Sequence, residues 1–231
     1  MILVTGATGI LGRVIVLELL KRGKTVRATK RKSSNLQEVR KSFQFYTETP
    51  NEYFDSIEWI EVDFEDIHSL QNALNGVEEV YHCAAKVSFH PKDEKKLYQT
   101  NIEGTKQLLF ACQNSSVKKF LFVSSIAVLD GLNENGELDE SSDFNPKIDH
   151  SAYAISKHFS EMEVWRASAE GLNTVIVNPG IIIGSGNWKE SSGTLFMEFE
   201  KNDYTFSGGT SYVDVRDVAQ ISIELMEKNI F

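Results

Sequence analysis

Cysteine is scarce in this sequence: Cys83 and Cys112 are the only two in 231 residues. Their spacing fits neither a zinc pattern nor a disulfide framework. They read as reduced core thiols of a cytoplasmic protein, with no metal site. Positive charge is also short. Lys and Arg number 24 against 33 Asp and Glu, giving a net charge of −9 and a pI near 5.1. That balance argues against nucleic acid and against an anionic membrane surface as partners. Long apolar runs are missing too. The stretch from Val175 to Ile183 is broken by Asn178 and Pro179 and is too short to span a bilayer. A first strand beginning at Ile2 leaves no room ahead of it for a signal peptide. There is no repeat and no low-complexity tract. What remains, 41% hydrophobic and 25% charged residues, is ordinary globular composition with enough length for one substantial core.

The first recognisable pattern is at the start. Met1 to Thr5 is apolar on both faces, as in a strand buried within a parallel sheet. Gly6-Ala7-Thr8-Gly9-Ile10-Leu11-Gly12 follows, then helical periodicity from Val14 to Arg22 closed by Gly23. A strand, a glycine turn and a helix N-terminus make an anion site, because free backbone N–H groups point at the ligand and glycine lets it approach. The turn is therefore read as holding a dinucleotide through Gly6, Thr8, Gly9, Ile10, Leu11 and Gly12. Thr25 to Thr29 is a second strand, running into Lys30-Arg31-Lys32. An NAD-selective site would end this strand with an acidic residue. Arg31 and Lys32 instead suit the 2′-phosphate of NADP, the alternative being a solvated basic turn.

Alternation continues along the chain. Asn35 to Phe54 is polar, with a short helix around Leu36 to Ser42 and then a loop. Ile57 to Val62 is a third strand. Asp63 stands at its carboxyl end, either to accept from an adenine amino group or to cap a helix. Ile67 to Leu74 is amphipathic and ends at Gly76. Glu79 to Cys83 is a fourth strand, with small Ala84 and Ala85 where a flat cofactor could pass. His82 reads as packed or hydrogen-bonded, since no ligand spacing accompanies it. Leu97 to Asn114 is a long helix with Asn101 inside it. Phe120 to Val123 is a fifth strand, ending at Ser124-Ser125. A hydroxyl there lies at the carboxyl edge, where open α/β sheets bind ligands. Asp130 to His150 is an acidic loop and a candidate lid. Ala152 to Glu170 is a helix, Leu172 to Val177 a sixth strand, and Asn178-Pro179-Gly180 a turn. Ser185 to Gly209 is glycine-rich and irregular, and Tyr212 to Ala219 enters a last helix ending at Lys228. The expected fold is α/β, a doubly wound parallel sheet covered on both faces.

Tyr153 and Lys157 are four apart on a helix and so share one face. A phenol has a pKa of about 10, and a nearby ammonium favours the phenolate. The pair is thus expected to trade a proton near neutral pH.

Taken together, the glycine turn, Asp63-Phe64, His82 to Ala85, Asn101, Ser124-Ser125, Tyr153-x-x-x-Lys157, Asn178-Pro179-Gly180 and Tyr212 to Ala219 resemble the extended short-chain dehydrogenase/reductase family in family order. The run from Thr25 to Arg31 resembles its dihydroflavonol reductase and 3β-hydroxysteroid dehydrogenase branch. The resemblance implies a Rossmann fold and an oxidoreductase acting on a carbonyl or secondary alcohol, with NADP(H) preferred and NAD(H) as the alternative. It implies Tyr153 as general acid or base, Lys157 as holder of the nicotinamide ribose and depressor of the phenol pKa, and Ser125 as partner of the substrate oxygen. It implies Asn101 as a brace for the central helix. Asp63, Phe64, Ala84, Ala85, Pro179 and Ile182 would lie along the cofactor.

Family members continue well past the Asp214 to Ala219 segment. A dinucleotide domain over 1–180 is therefore expected, followed over 181–231 by the start of an incomplete substrate-binding region. Ile126 and Ala127 replace the acidic pair of sugar-nucleotide dehydratases. A nucleotide-sugar epimerase and a non-catalytic dinucleotide-binding regulator are the competing readings. Phe89, Leu129, Leu132 and Phe196 hint at a hydrophobic small-molecule substrate. Leu108, Phe110, Phe159, Met162 and Trp165 read equally as a homodimer face, which the family often forms, or as residues facing the sheet.

Overall fold

The computed structural model describes residues 1–186 and 209–228, with 193, 197 and 200–202 between them. Six strands form one sheet: β1 (Ile2–Thr5), β2 (Val26–Lys30), β3 (Glu58–Glu61), β4 (Glu79–His82), β5 (Lys119–Val123) and β6 (Asn173–Val177). Their order is β3-β2-β1-β4-β5-β6, and every pairing is parallel. This is the doubly wound arrangement, with β1 central and the strand order reversing beside it. Fully described helices are α1 (Ile10–Lys21), α2 (Leu36–Ser42), α3 (Pro50–Asp55), α4 (Ile67–Ala73), α5 (Glu94–Tyr98), α6 (Gly104–Gln113), α7 (Ala152–Ala169) and α8 (Val215–Glu227).

Side-chain alternation splits the core into two layers. Ile2 and Val4 face one layer, with Ala28, Tyr81 and Leu121, under α1 and α8. Leu3 faces the other, with Val80, Phe120 and Phe122, under α4, α6 and α7. α8 is tied to the first helix by Arg22 Nη1 donating to Glu227 at 3.1 Å, and to β5 by Lys119 Nζ donating to the Met226 carbonyl at 2.8 Å. The last described helix thereby completes the layer that the first one starts.

Three segments differ from the expectations. The polar stretch before β3 holds α3, whose Phe54 is buried against Phe43 and Trp59. One apolar face was too short to stand out among polar neighbours. Tyr212–Asp214 is a strand rather than an approach to the helix, and it pairs in parallel with Ile181–Ile183 as a separate two-stranded sheet. The helix expected from Leu97 begins at Glu94 and passes through a π turn over Gln99–Glu103. Widened turns of that kind occur frequently at functional sites. Most of Ser185 to Gly209, including Phe196, lies outside the described residues. No helix among the described residues is long and apolar enough to cross a membrane.

Candidate functional site

The glycine turn sits at the carboxyl end of central β1. Gly6 has φ +65, and a Cβ there would lie 2.6 Å from the Ala84 nitrogen. A Cβ on Gly12 would collide with the Gly6 carbonyl. These two glycines are thus required by the protein's own packing, whereas Gly9 is exposed and leads into α1 with no side-chain cap. The first turn of α1 also lacks an acidic residue. An uncapped helix N-terminus carrying partial positive charge fits a diphosphate. Arg13, not singled out in the sequence, braces this loop from behind. It is only 3% exposed, donates to the Thr8 and Gly9 carbonyls and pairs with Glu38 at 3.1 Å. Its signal was one basic residue inside an otherwise apolar helix face.

Around this turn the remaining expected cofactor residues are scattered. Arg31 and Lys32 are exposed beyond β2, where Lys30 pairs with Glu61 at 3.6 Å. Asp63 accepts from the Glu65 amide at 2.9 Å, closing a local turn, while Asp66 caps α4 through the His68 amide. Phe64 packs on the ring of His82, 5.8 Å between centroids. The Ala84 amide donates to Thr5 Oγ1 at 3.2 Å, and Ala85 is exposed. The Pro179 carbonyl accepts from the Ile126 amide at 3.1 Å, and Ile182 is half-buried in the second sheet. His82 is packed and hydrogen-bonded, sharing protons with Thr5 at 2.7 Å and Thr105 at 3.0 Å. Burial pushes its pKa down to about 3, so it is neutral. Among the described residues no group of His, Cys, Asp and Glu could hold a metal ion.

Two of the expected reactive residues, Ser125 and Tyr153, come together, and Lys157 stands one helical turn away. Ser125 follows β5; its Oγ accepts from the Ala127 amide at 3.2 Å, and its side chain is near enough to the Tyr153 phenol to oppose the burial that raises it. Tyr153 stands in the first turn of α7, whose Ser151 caps the helix by accepting from the Ala154 amide at 3.1 Å. Lys157 lies one turn further on. Only 2% exposed, it donates to the Val123 carbonyl at 2.6 Å and rests over the Phe122 ring at 4.3 Å. Burial lowers its pKa to about 8, partly opposed by Glu161. The Tyr153 phenol is shifted opposite to the expectation. Burial raises it, and the opposing influence is the Ser125 side chain, while the ammonium is turned to the Val123 carbonyl. Spacing places a phenol and an ammonium on one face but does not weigh desolvation against them.

Asn101 does not touch these three directly. Buried in the π turn, its Oδ1 accepts from the Lys86 amide at 2.7 Å, and its Nδ2 donates to the Lys86 carbonyl at 3.0 Å and to Ser156 Oγ at 2.9 Å. Ser156 in turn donates to the Tyr153 carbonyl at 2.7 Å. Asn101 therefore ties α7 to the loop after β4. That loop carries Phe89, whose ring meets Tyr153 edge-on at 5.8 Å. Contacts of Asn178 with Glu161, and of Phe144 with two histidines, were not legible in the sequence. Asn178 Nδ2 donates to Glu161 at 2.7 Å and to the Ser125 carbonyl at 3.3 Å. Over the candidate lid, Phe144 stacks on both His150 and His158, and His150 lies 3.3 Å from Asp130.

A nucleotide-shaped glycine turn beside a Ser–Tyr–Lys cluster at the carboxyl edge of a parallel sheet places the chain among the extended short-chain dehydrogenases and reductases. It belongs to the NAD dependent epimerase/dehydratase family, whose profile matches residues 2–230. It is 31% identical over 231 residues to Sterol demethylase protein B of Methylococcus capsulatus, covering 99% of this chain and 66% of that protein. It is 31% identical over 222 residues to a putative dihydroflavonol 4-reductase of Synechocystis, covering 94% of this chain and 60% of that protein. The chain thus spans just under two thirds of these relatives. Among solved structures, a UDP-N-acetylglucosamine 4-epimerase from Methanobrevibacter ruminantium matches with a TM-score of 0.78 and 26% identity, over 99% of this chain and 73% of that one.

Proposed function

We propose that this chain carries the cofactor-binding and proton-transfer parts of an NADP(H)-dependent oxidoreductase that interconverts a carbonyl and a secondary alcohol on a small apolar substrate. The observation that carries the reading is the buried Tyr153 phenol, beside Ser125 and one helical turn from buried Lys157. Residues 1–180 hold the cofactor and 181–231 begin the substrate side. NADP(H) supplies the hydride when bound. Tyr153, kept protonated by burial, gives its proton to the substrate oxygen in reduction. Ser125 hydrogen-bonds the same oxygen as charge develops on it. Lys157 holds the ribose hydroxyls. Exposed Arg31 and Lys32 take the 2′-phosphate, and Asp63, Phe64, Ala84, Ala85, Pro179 and Ile182 line the remaining length of the cofactor. Phe89 beside Tyr153, with Leu129 and exposed Leu132, supports an apolar substrate. The test is NADPH oxidation with a panel of aldehydes and ketones. Tyr153→Phe should lower kcat by about 10²-fold or more, and an unchanged rate would overturn the mechanism.

The likeness to the UDP-sugar epimerase structure supports a second reading, an NAD-dependent nucleotide-sugar epimerase. Purified protein retaining NAD(H), and epimerising a UDP-sugar without net NADPH consumption, would replace the first reading with this one. A homodimer is the further part of the proposal. Phe110, Phe159, Met162 and Trp165 are exposed on α6 and α7, while Leu108 faces the core. Light scattering giving a monomer mass at working concentration would remove it.

A further inference from the structure

Tyr153, Lys157 and Glu161 recur every four residues, so α7 presents them along one face. Glu161 is a carboxylate at 8% exposure, a position such groups occupy when they are paired. Its recorded hydrogen bond comes from Asn178 Nδ2 at 2.7 Å, and the same amide nitrogen donates to the Ser125 carbonyl at 3.3 Å. The ends of β5 and β6 and the face of α7 are thereby joined at one amide. We propose that Glu161 is a positioning residue of the site: through Asn178 it sets the backbone of Ser125, and its negative charge one turn from Lys157 keeps the ammonium charged and in place. The proposal rests on the oxidoreductase reading for its purpose, but its geometry stands without it.

The surroundings of Lys157 explain why a carboxylate is needed. From the end of β4 it faces His82, which is neutral, and just beyond the strand Cys83, whose thiol burial pushes up to about 12. From β5 it faces the Phe122 ring and the Val123 carbonyl. Tyr153 on its own helix is held protonated by burial. None of these carries a full negative charge at neutral pH. The Glu161 carboxylate acts against the burial that drives the ammonium toward neutrality. A residue that merely packed α7 against β6 would supply the contact without this electrostatic effect.

The test reads Lys157 directly, by NMR titration of protein carrying 13Cε-labelled lysine, the signal being assigned by its loss in Lys157→Arg. Glu161→Gln keeps an acceptor for Asn178 and removes the charge. Its Lys157 midpoint should fall by about one pH unit, while Asn178→Ala leaves that midpoint within about half a unit and lowers kcat for NADPH-dependent aldehyde reduction. A midpoint unmoved in Glu161→Gln, or moved equally in Asn178→Ala, would overturn the electrostatic role. If Glu161→Gln does not fold, Glu161→Asp carries the test: with the charge retained, its midpoint should stay within about half a unit of the wild type, and a larger fall rejects the proposal. Loss of turnover in Tyr153→Phe with no titration change in Glu161→Gln would sink this role and leave the oxidoreductase reading standing. Turnover surviving Tyr153→Phe, with the Lys157 midpoint displaced in Glu161→Gln, would do the reverse.

Discussion

Asn101 binds both backbone groups of Lys86, accepting from its amide at 2.7 Å and donating to its carbonyl at 3.0 Å. One amide side chain thus pairs with the loop after β4 as a neighbouring strand would. The π turn puts it there, and its second Nδ2 hydrogen reaches Ser156 below Tyr153.

Truncating that side chain should loosen loop and helix together. Asn101→Ala leaves the part-buried Lys86 amide and carbonyl without their partner, a cost of about 1–3 kcal/mol for each group that water cannot reach. The expected outcome is a lower Tm and faster hydrogen exchange over residues 84–90. Asn101→Asp should be no better, because a carboxylate cannot donate to the Lys86 carbonyl. Unchanged exchange in that loop would show that Asn101 does not hold it.

The glycine turn separates into packing and ligand roles. Gly6→Ala meets both a left-handed backbone and the Ala84 nitrogen, so it should lower Tm sharply and abolish NADPH binding together. Gly9 has φ −76, open to alanine, and a Cβ there would stand 3.2 Å from the Gly6 carbonyl oxygen, a far milder contact than at Gly6 or Gly12. Gly9→Ala should cost the fold about 1 kcal/mol or less while weakening NADPH binding. Paired thermal melts and fluorescence titrations would show whether the two effects part in this way.

Arg31 lies exposed past β2 with Lys32 beside it. Arg31→Ala should weaken NADPH binding by about ten- to a hundredfold, the value of a charge-assisted hydrogen bond, and leave NADH binding almost unchanged. Parallel titrations read by tryptophan quenching would check this. Equal losses for both cofactors would mean that Arg31 supports the loop rather than a 2′-phosphate.

Burial lowers Lys157 from its ordinary 10.5 to about 8. Between those values the unfolded chain holds a proton that the native state has released, so stability rises with pH across this window. Below about pH 8 the full cost of the buried ammonium applies, on the order of 3 kcal/mol. Urea melts of wild type and Lys157→Met from pH 7 to 10.5 should therefore diverge in favour of wild type as pH rises. A difference that stays flat would show Lys157 titrating at its ordinary value.

The sequence by itself determined whatever depends on neighbours along the chain. The glycine turn was legible because strand, turn and helix signals follow one another within some twenty residues. Tyr153 and Lys157 shared a face because a helix repeats every 3.6 residues. The alternation of strands and helices specified a parallel sheet before any contact was known. Short elements were less visible: α3 and the strand Tyr212–Asp214 are too brief for periodicity to separate them from a polar loop or a helix approach. Tertiary structure alone decided the contacts between distant segments. It brought Ser125 to Tyr153, joined Asn178 to Glu161 and tied Asn101 to Lys86. It also set the direction in which the phenol is shifted. Desolvation depends on what the folded sheet and helices stack around a group, and no spacing along the chain records that.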